Sequence, residues 1–324
     1  MQQYRDTNYA AVSAALHARE AHLLTQALSE RMLEAPTAEE SCKILIECGY
    51  PPLEHCTLEE VEKLLALSRA ELYREVAVLA PDKRIVELFQ LKYDYHNAKL
   101  ALKAKLTGED VSRLVIGCGR YDASALLRGE RGMLPSRMGR AMAQAEKEAE
   151  GGDIRRAELT LDRACFEEMS ELAGATGNDF LIGYVALQID AIDLRTLVRA
   201  QRMGASDELL SAALLPGGHI PAEQLKTARG DRLAELTRGS ALSAAGELAA
   251  SLTSGSLTAF ERACDDALMQ YLQRARRTAF GPEVIVGYLS AKEAEFTAVR
   301  TILSGKLAGL SAEDIRARLR MSYL

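Results

Sequence analysis

The amino-acid sequence predicts an all-α protein made of three similar helical lobes. Three observations predict this class: a composition that favours helices, prolines that lie only at breaks between periodic stretches, and a helical motif that occurs three times. Apolar residues make up 48% of the 324 residues, aromatic residues only 5%, and Trp is absent. The abundant Ala, Leu, Glu and Arg lose little side-chain freedom in a helix, so this mixture favours helices over strands.

The repeated motif divides the chain into three parts. Each copy has an acid, a base five positions later and a glycine nine positions beyond the base; the copies are Asp94, Lys99 and Gly108, then Asp190, Arg195 and Gly204, then Glu295, Arg300 and Gly309. The second and third copies are displaced from the first by 96 and 201 residues. With glycine-rich turns at residues 117–121 and 214–221, this spacing predicts lobes at residues 1–118, 119–213 and 214–324.

Each copy also carries an apolar stripe at helical spacing, which predicts a helix buried along one side. The stripes are Leu91, Tyr95, Ala98, Leu102 and Leu106; Leu187, Ala191, Leu194 and Val198; and Phe296, Val299, Leu303 and Leu307. The acid and the base of each copy lie at opposite edges of the stripe, too far apart to pair within one helix. They are therefore expected either to pair with neighbouring helices or to face a partner protein. Each motif glycine is expected to end its helix.

Helix starts are marked by a hydroxyl three residues before an acid, as in Thr37 with Glu40, Thr57 with Glu60, and Ser311 with Asp314. The hydroxyl accepts a hydrogen bond from a first-turn amide, and the acid complements the positive end of the helix dipole. The short apolar run at residues 284–288 leads directly into a helical pattern, so no strand is expected there.

Charge and sequence signals exclude several classes of function. A net charge of −6 argues against nucleic acid or an anionic lipid surface as the main partner. No apolar stretch is long enough to span or insert into a bilayer, the N-terminus lacks signal-peptide features, and the six scattered cysteines are expected to be reduced thiols of a cytosolic protein. No P-loop, nucleophile elbow or metal-ligand spacing occurs, so neither an enzyme nor a cofactor or metal site is expected.

Three segments resemble the C subunit of V-type (A/V-type) ATPases, whose eukaryotic counterpart is the d subunit. They are residues 91–105 around the first motif copy, residues 214–218, and residues 288–316 around the third copy. The resemblance implies a three-lobed, funnel-shaped helical protein with quasi-threefold symmetry, on the cytoplasmic face of the membrane rotor ring. It implies a non-catalytic socket for the central stalk, made by the D and F subunits, that couples their rotation to H⁺ or Na⁺ transport through the ring.

The alternative interpretation is a helical-repeat adaptor unrelated to rotary ATPases. Solenoid adaptors have repeats of roughly 20–50 residues, which is shorter than the spacing of the motif copies. A hydrolase that uses helical carboxylates would need acids converging on a pocket, and the sequence has no sign of that arrangement.

Overall fold

The structure, a computed structural model, describes residues 5–130, 132, 134–251 and 257–324. These residues contain helices and no β-strand, so the predicted all-α class is confirmed. The α-helices are α1 (Ala10–Glu20), α2 (Gln26–Glu34), α3 (Ala38–Ile44), α4 (Leu58–Leu79), α5 (Lys83–Thr107), α6 (Ala123–Leu127), α7 (Ser136–Glu150), α8 (Ile154–Thr176), α9 (Asp179–Met203), α10 (Asp207–Ala213), α11 (Ala222–Thr227), α12 (Asp231–Thr237), α13 (Ser243–Ser251), α14 (Thr258–Gln273), α15 (Pro282–Leu307) and α16 (Ala312–Arg318).

The predicted helix starts are confirmed. The hydroxyls of Thr37, Thr57 and Ser311 each accept a first-turn amide, at 3.2, 3.3 and 3.1 Å, and they cap α3, α4 and α16. Pro282 is the first residue of α15, where the missing N–H of proline costs no helical hydrogen bond. The apolar run at residues 284–288 is helical, as predicted.

The three motif copies lie in the three longest helices of the described chain. These are α5, α9 and α15, with 25, 25 and 26 residues. Their apolar stripes are buried with two exceptions: Leu106 is 37% exposed and Leu307 is 39% exposed. The prediction was wrong for these two leucines. Both lie in the last turn of their helices, at the end of the stripe.

The chain forms two compact units, one of which is made from both ends of the sequence. The first unit is Arg84–Leu268, in which α8 packs on α7 and α9, and α12 packs on α13. The second combines Gln2–Lys83 with Met269–Leu324, and in it α1, α2, α3, α4 and α16 pack on α15. The division into lobes at residues 118 and 213 follows the motif rather than these contacts, and it stays a prediction.

The cysteines differ from the expectation at one pair. Cys42 and Cys56 form a disulfide with their Cα atoms 6.7 Å apart, so the expectation of six reduced thiols was wrong for these two. The segment between them folds back after α3, which brings the two sulfurs together although the two cysteines are 14 positions apart in sequence. The other four cysteines, at positions 48, 118, 165 and 264, are free and buried.

Candidate functional site

The base of each motif copy forms an ion pair with an acid on another long helix. The pairs are Lys99 on α5 with Asp162 on α8, Arg195 on α9 with Asp265 on α14, and Arg300 on α15 with Glu62 on α4. Each motif helix thus pairs with the long helix that directly precedes another motif helix in the sequence. The motif helix α5 pairs with α8, which precedes α9; α9 pairs with α14, which precedes α15; and α15 pairs with α4, which precedes α5. One rule describes all three pairs.

Additional contacts show that each motif helix runs antiparallel to its partner helix. Four residues before Lys99, the Tyr95 hydroxyl donates to Glu168 at 2.9 Å, six residues after Asp162. Four residues after Arg195, Arg199 contacts Glu261, four residues before Asp265. In the second unit, the Tyr73 hydroxyl donates to Glu293 at 2.8 Å. Compared with the Glu62–Arg300 pair, this contact lies later on α4 and earlier on α15, so these two helices are also antiparallel.

These ion pairs are partly exposed and contribute little stability individually. The side chains of Lys99 and Asp162 are 31% and 45% exposed, and those of Arg300 and Glu62 are 48% and 41% exposed. A pair with this exposure is worth ~0.2–1 kcal/mol. The bases therefore fix the register of the helices more than they stabilise the fold.

The acids of the motif bind the backbone instead. In the first copy, Asp94 Oδ1 accepts the N–H groups of Arg120 at 2.8 Å and Tyr121 at 3.3 Å, and Oδ2 accepts the Nε–H of Arg120 at 2.7 Å. One turn along α5, Asn97 accepts the N–H of Ile116 at 3.1 Å and donates to its carbonyl at 2.8 Å. These four hydrogen bonds and the ion pair fix the irregular segment that leads to α6. We call this arrangement the first clasp.

A second clasp has the same construction. Asp190 Oδ1 accepts the N–H of Ile220 at 2.9 Å. Its Oδ2 accepts the backbone N–H of His219 at 3.1 Å and lies 3.1 Å from the Nδ1 of the same residue. One turn along α9, Asp193 accepts the N–H of Leu215 at 2.9 Å. The segment fixed in this way leads to α11.

Glycine is required beside the acid in both clasps. A Cβ at Gly119 would collide with Oδ1 of Asp94, and a Cβ at Gly218 would collide with Oδ1 of Asp190. Because the carboxylate binds the amide of the next residue, the backbone must pass within contact distance of it. Only glycine allows that approach.

The third acid completes a clasp with a segment from the other end of the sequence. Glu295 Oε2 accepts the N–H of Leu24 at 2.8 Å, and Oε1 accepts the Tyr50 hydroxyl at 2.5 Å and contacts Lys292. The Leu24 amide is followed directly by Thr25, which caps α2. In all three copies, therefore, a motif acid binds the backbone just before a short helix.

The acids and the glycines of the motif are thus placed differently from the bases. The acids Asp94, Asp190 and Glu295 are 0%, 3% and 5% exposed. They bind irregular segments rather than the side chains of neighbouring long helices. The glycines 108, 204 and 309 follow the last turns of α5, α9 and α15 with positive φ angles of 69°, 63° and 72°. At such angles glycine has no steric penalty.

Sequence reasoning missed Asn97, Asp193 and the roles of Gly119 and Gly218. A signal for them exists. The sequence marks the segments around Gly119 and Gly218 as turns, and each glycine follows its motif acid by 25 or 28 residues. A polar side chain three positions after the first two acids, and Ala298 at that place in the third copy, also separates two clasps from the third.

Burial changes the acidity of the clasp carboxyls. It raises the pKa of Asp94 against the opposing effect of Arg120, and it raises the pKa of Asp190 against the Ile220 and His219 hydrogen bonds. It raises the pKa of Asp193 to about 7, which the Leu215 amide opposes. Raised carboxyl pKa values are also common in active sites. Here the carboxylate oxygens face backbone amides, an arrangement that fixes loops.

Two further features bear on chemistry. A cavity of about 420 Å³ lies between the end of α15 and α16, and none of its lining residues in the described ranges is acidic. Across residues 5–130, 132, 134–251 and 257–324, no group of three or more His, Cys, Asp or Glu side chains is placed to hold a metal ion. None of the helices in these ranges combines the length and the hydropathy of a membrane span.

Comparison with known proteins identifies the family. The family model described as "ATP synthase (C/AC39) subunit" matches residues 12–318. The C subunit of the V-type sodium ATPase of Enterococcus hirae is 24% identical over 324 residues, covering 97% of this chain and 99% of the relative. The C subunit of the A-type ATP synthase of Methanocaldococcus jannaschii is 26% identical, covering 96% and 86%, and that of the V-type ATP synthase of Thermus thermophilus is 25% identical, covering 93% and 94%. The chain therefore belongs to the ATP synthase (C/AC39) subunit family.

Proposed function

We propose that this chain is a non-catalytic coupling subunit of a rotary ATPase. It stands on the cytoplasmic face of the membrane rotor ring, receives the end of the central shaft made by the D and F subunits, and transmits torque between ATP turnover and H⁺ or Na⁺ transport. Family membership supports a place in such a complex, and it argues against an adaptor unrelated to rotary ATPases.

The observation that carries this proposal is the set of three clasps. A torque-bearing body must not deform under load, and irregular segments are its weakest parts. Here the segments before α6, α11 and α2 are each fixed to the middle of a motif helix by hydrogen bonds to a buried carboxylate. A hydrogen bond to a charged group contributes ~1.5–3 kcal/mol, several times more than an exposed ion pair.

The order of the ion pairs supports the threefold arrangement that we propose for the lobes. Each motif base contacts a long helix of the next copy, and the third copy contacts the first. The same kind of contact therefore recurs at each motif copy, as three similar lobes require. Load applied by the shaft is then shared by the lobes, with no single indispensable residue.

Reconstitution of the rotary complex with and without the chain tests the proposal. Without it, ATP hydrolysis by the soluble head should continue while ATP-driven ion uptake into vesicles falls to background, and adding the purified chain should restore uptake. A catalytic role would instead reduce hydrolysis by the isolated head. Full ion uptake by complexes that lack the chain would contradict the coupling role.

A further inference from the structure

A turn in the second unit carries an unusual concentration of positive charge. Arg274–Arg277 forms a single 3-10 turn between α14 and α15, and its three arginines, Arg274, Arg276 and Arg277, are exposed. Ala275, the fourth residue, is 1% exposed and anchors the turn in the core. The arginines therefore project together from a packed base, in a chain whose net charge is −6.

These arginines have few partners within the fold. In the described part of the chain none of the three has an ion pair, and the guanidinium of Arg274 lies 4.8 Å from the ring centre of Tyr271. Arginines elsewhere in the same unit do pair, as Arg19 does with Glu75 and Arg316 with Glu30. Three unpaired positive charges within four residues repel one another, so the fold gains nothing from their proximity.

The turn is held in one conformation from both sides. Before it, Gln273 Nε2 donates to the Ser322 carbonyl at 2.9 Å. After it, His17 Nε2 lies 3.1 Å from the Thr278 carbonyl, and the N–H of Gly281 donates to Ser13 Oγ at 3.2 Å. A fixed backbone lowers the entropy that is lost when the arginines bind a partner.

An exposed aromatic residue lies three positions beyond the turn. Phe280 is 44% exposed, and Ala279 before it is also exposed. Arginine and aromatic residues are enriched among the residues that dominate protein–protein binding energy. The combination suits a protein surface that offers carboxylates around an apolar spot.

We propose that the arginine turn, Arg274–Arg277 with Phe280, binds an acidic segment of the central shaft; this inference rests on the proposed function. An anionic membrane is a poorer match, because each basic residue at a membrane surface contributes only ~1 kcal/mol and such recognition uses clusters of about 4–8. The rotor ring is also a poorer match, because cytoplasmic loops of membrane proteins carry an excess of Lys and Arg. The shaft has neither restriction.

The test compares two triple variants of the full chain for binding to the purified D–F shaft complex. In the first, Arg274, Arg276 and Arg277 are replaced by Ala. In the control, three exposed arginines of the first unit, Arg113, Arg140 and Arg155, are replaced by Ala, which changes the net charge equally. The first variant should bind about ten- to a hundredfold more weakly at low salt, the control within about twofold of the unmodified chain, and the difference should shrink near ~0.5 M salt.

The outcomes separate this inference from the proposed function. If the unmodified chain binds the shaft and the first variant binds equally well, the arginine turn is not the shaft contact although the coupling role stands. Loss of binding only to vesicles that contain the rotor ring, or only to protein-free phosphatidylglycerol vesicles, would assign the turn to the ring or to lipid and overturn the inference. An unmodified chain that binds neither shaft nor ring would contradict the proposed function itself.

Discussion

The first and second clasps have the same geometry and differ in chemistry at two positions. The side chain beside the acid is Arg120 in the first clasp and His219 in the second. The polar residue one turn along the helix is Asn97 in the first and Asp193 in the second. The acid and the glycine are the same in both. The shared feature is the contact between the carboxylate and the backbone amides, with a glycine that lets the backbone approach the acid. The side chains around this contact differ between the two clasps, so the contact itself is what fixes the loop in both.

The two clasps also differ in the burial of the side chain that contacts the acid, which is largely buried in the first clasp and exposed in the second. The Arg120 side chain is 12% exposed and also contacts Glu168 at 2.9 Å, whereas the His219 side chain is 62% exposed. Removing the acid leaves a buried guanidinium with one fewer partner in the first clasp. In the second clasp it leaves an imidazole that water can solvate.

The largest expected effect is therefore loss of the first acid. Asp94→Ala should lower the free energy of unfolding by ~3–5 kcal/mol, because a buried cation loses its main partner together with two amides. Asp190→Ala, the matched variant, should cost only ~1–3 kcal/mol. Urea unfolding of both variants, followed by circular dichroism, measures the difference. Equal losses would show that burial of the cation does not set the cost.

A smaller effect should appear as pH dependence in the second clasp. The folded-state pKa of Asp193 is raised to about 7 from an ordinary value near 4, so the folded state binds its proton more tightly than the unfolded state. Stability from this group is complete below about pH 4 and is lost as pH rises from about 4 to about 7, with a slope of up to ~1.4 kcal/mol per pH unit. Asp193→Asn should flatten the fall in stability between pH 4 and 7 by ~2–4 kcal/mol.

The reciprocal change provides the control for that experiment. Asn97→Asp places a second carboxyl at the matching site of the first clasp, 3 positions from buried Asp94, and should introduce a fall in stability with rising pH. Hydrogen exchange of the Leu215 and Ile116 amides would locate each effect. A pH profile that Asp193→Asn leaves unchanged would mean that another group titrates.

The smallest expected effect concerns the motif bases. In a double-mutant cycle of Lys99→Ala and Asp162→Ala, the coupling energy should be ~0.2–1 kcal/mol and should fall with added salt, because both side chains are partly exposed. The cycle is measured by urea unfolding at low and high salt. A coupling above ~2 kcal/mol would place the bases with the clasp acids as main supports of the fold.

The parts of the fold that depend on local sequence could be predicted. The caps at Thr37, Thr57 and Ser311 depend on residues three positions apart, and the apolar stripes depend on helical period, so both are visible in the sequence. The exposure of Leu106 and Leu307 could not be predicted, because it depends on how far neighbouring parts of the fold extend along each helix. No periodic pattern contains that information.

The clasps depend on contacts between distant residues. Glu295 and Leu24 are 271 positions apart, and nothing near either residue indicates the hydrogen bond between them. The acids stand out in the sequence only because the motif repeats, and their role as backbone acceptors requires the folded segments around Gly119 and Gly218. The pairing of Cys42 with Cys56 likewise requires the fold of the intervening chain.

The hydrogen bond from Leu24 to Glu295 also has a consequence for biosynthesis. The second unit combines the first and last segments of the chain, so its parts cannot assemble until the ribosome has made Met269–Leu324. At ~5–20 residues per second, the stretch from Arg84 to Leu268 alone takes roughly 10–40 s to translate. During that time α1 and α4 lack α15, the helix on which they pack, so we expect their apolar faces to be open to chaperone binding.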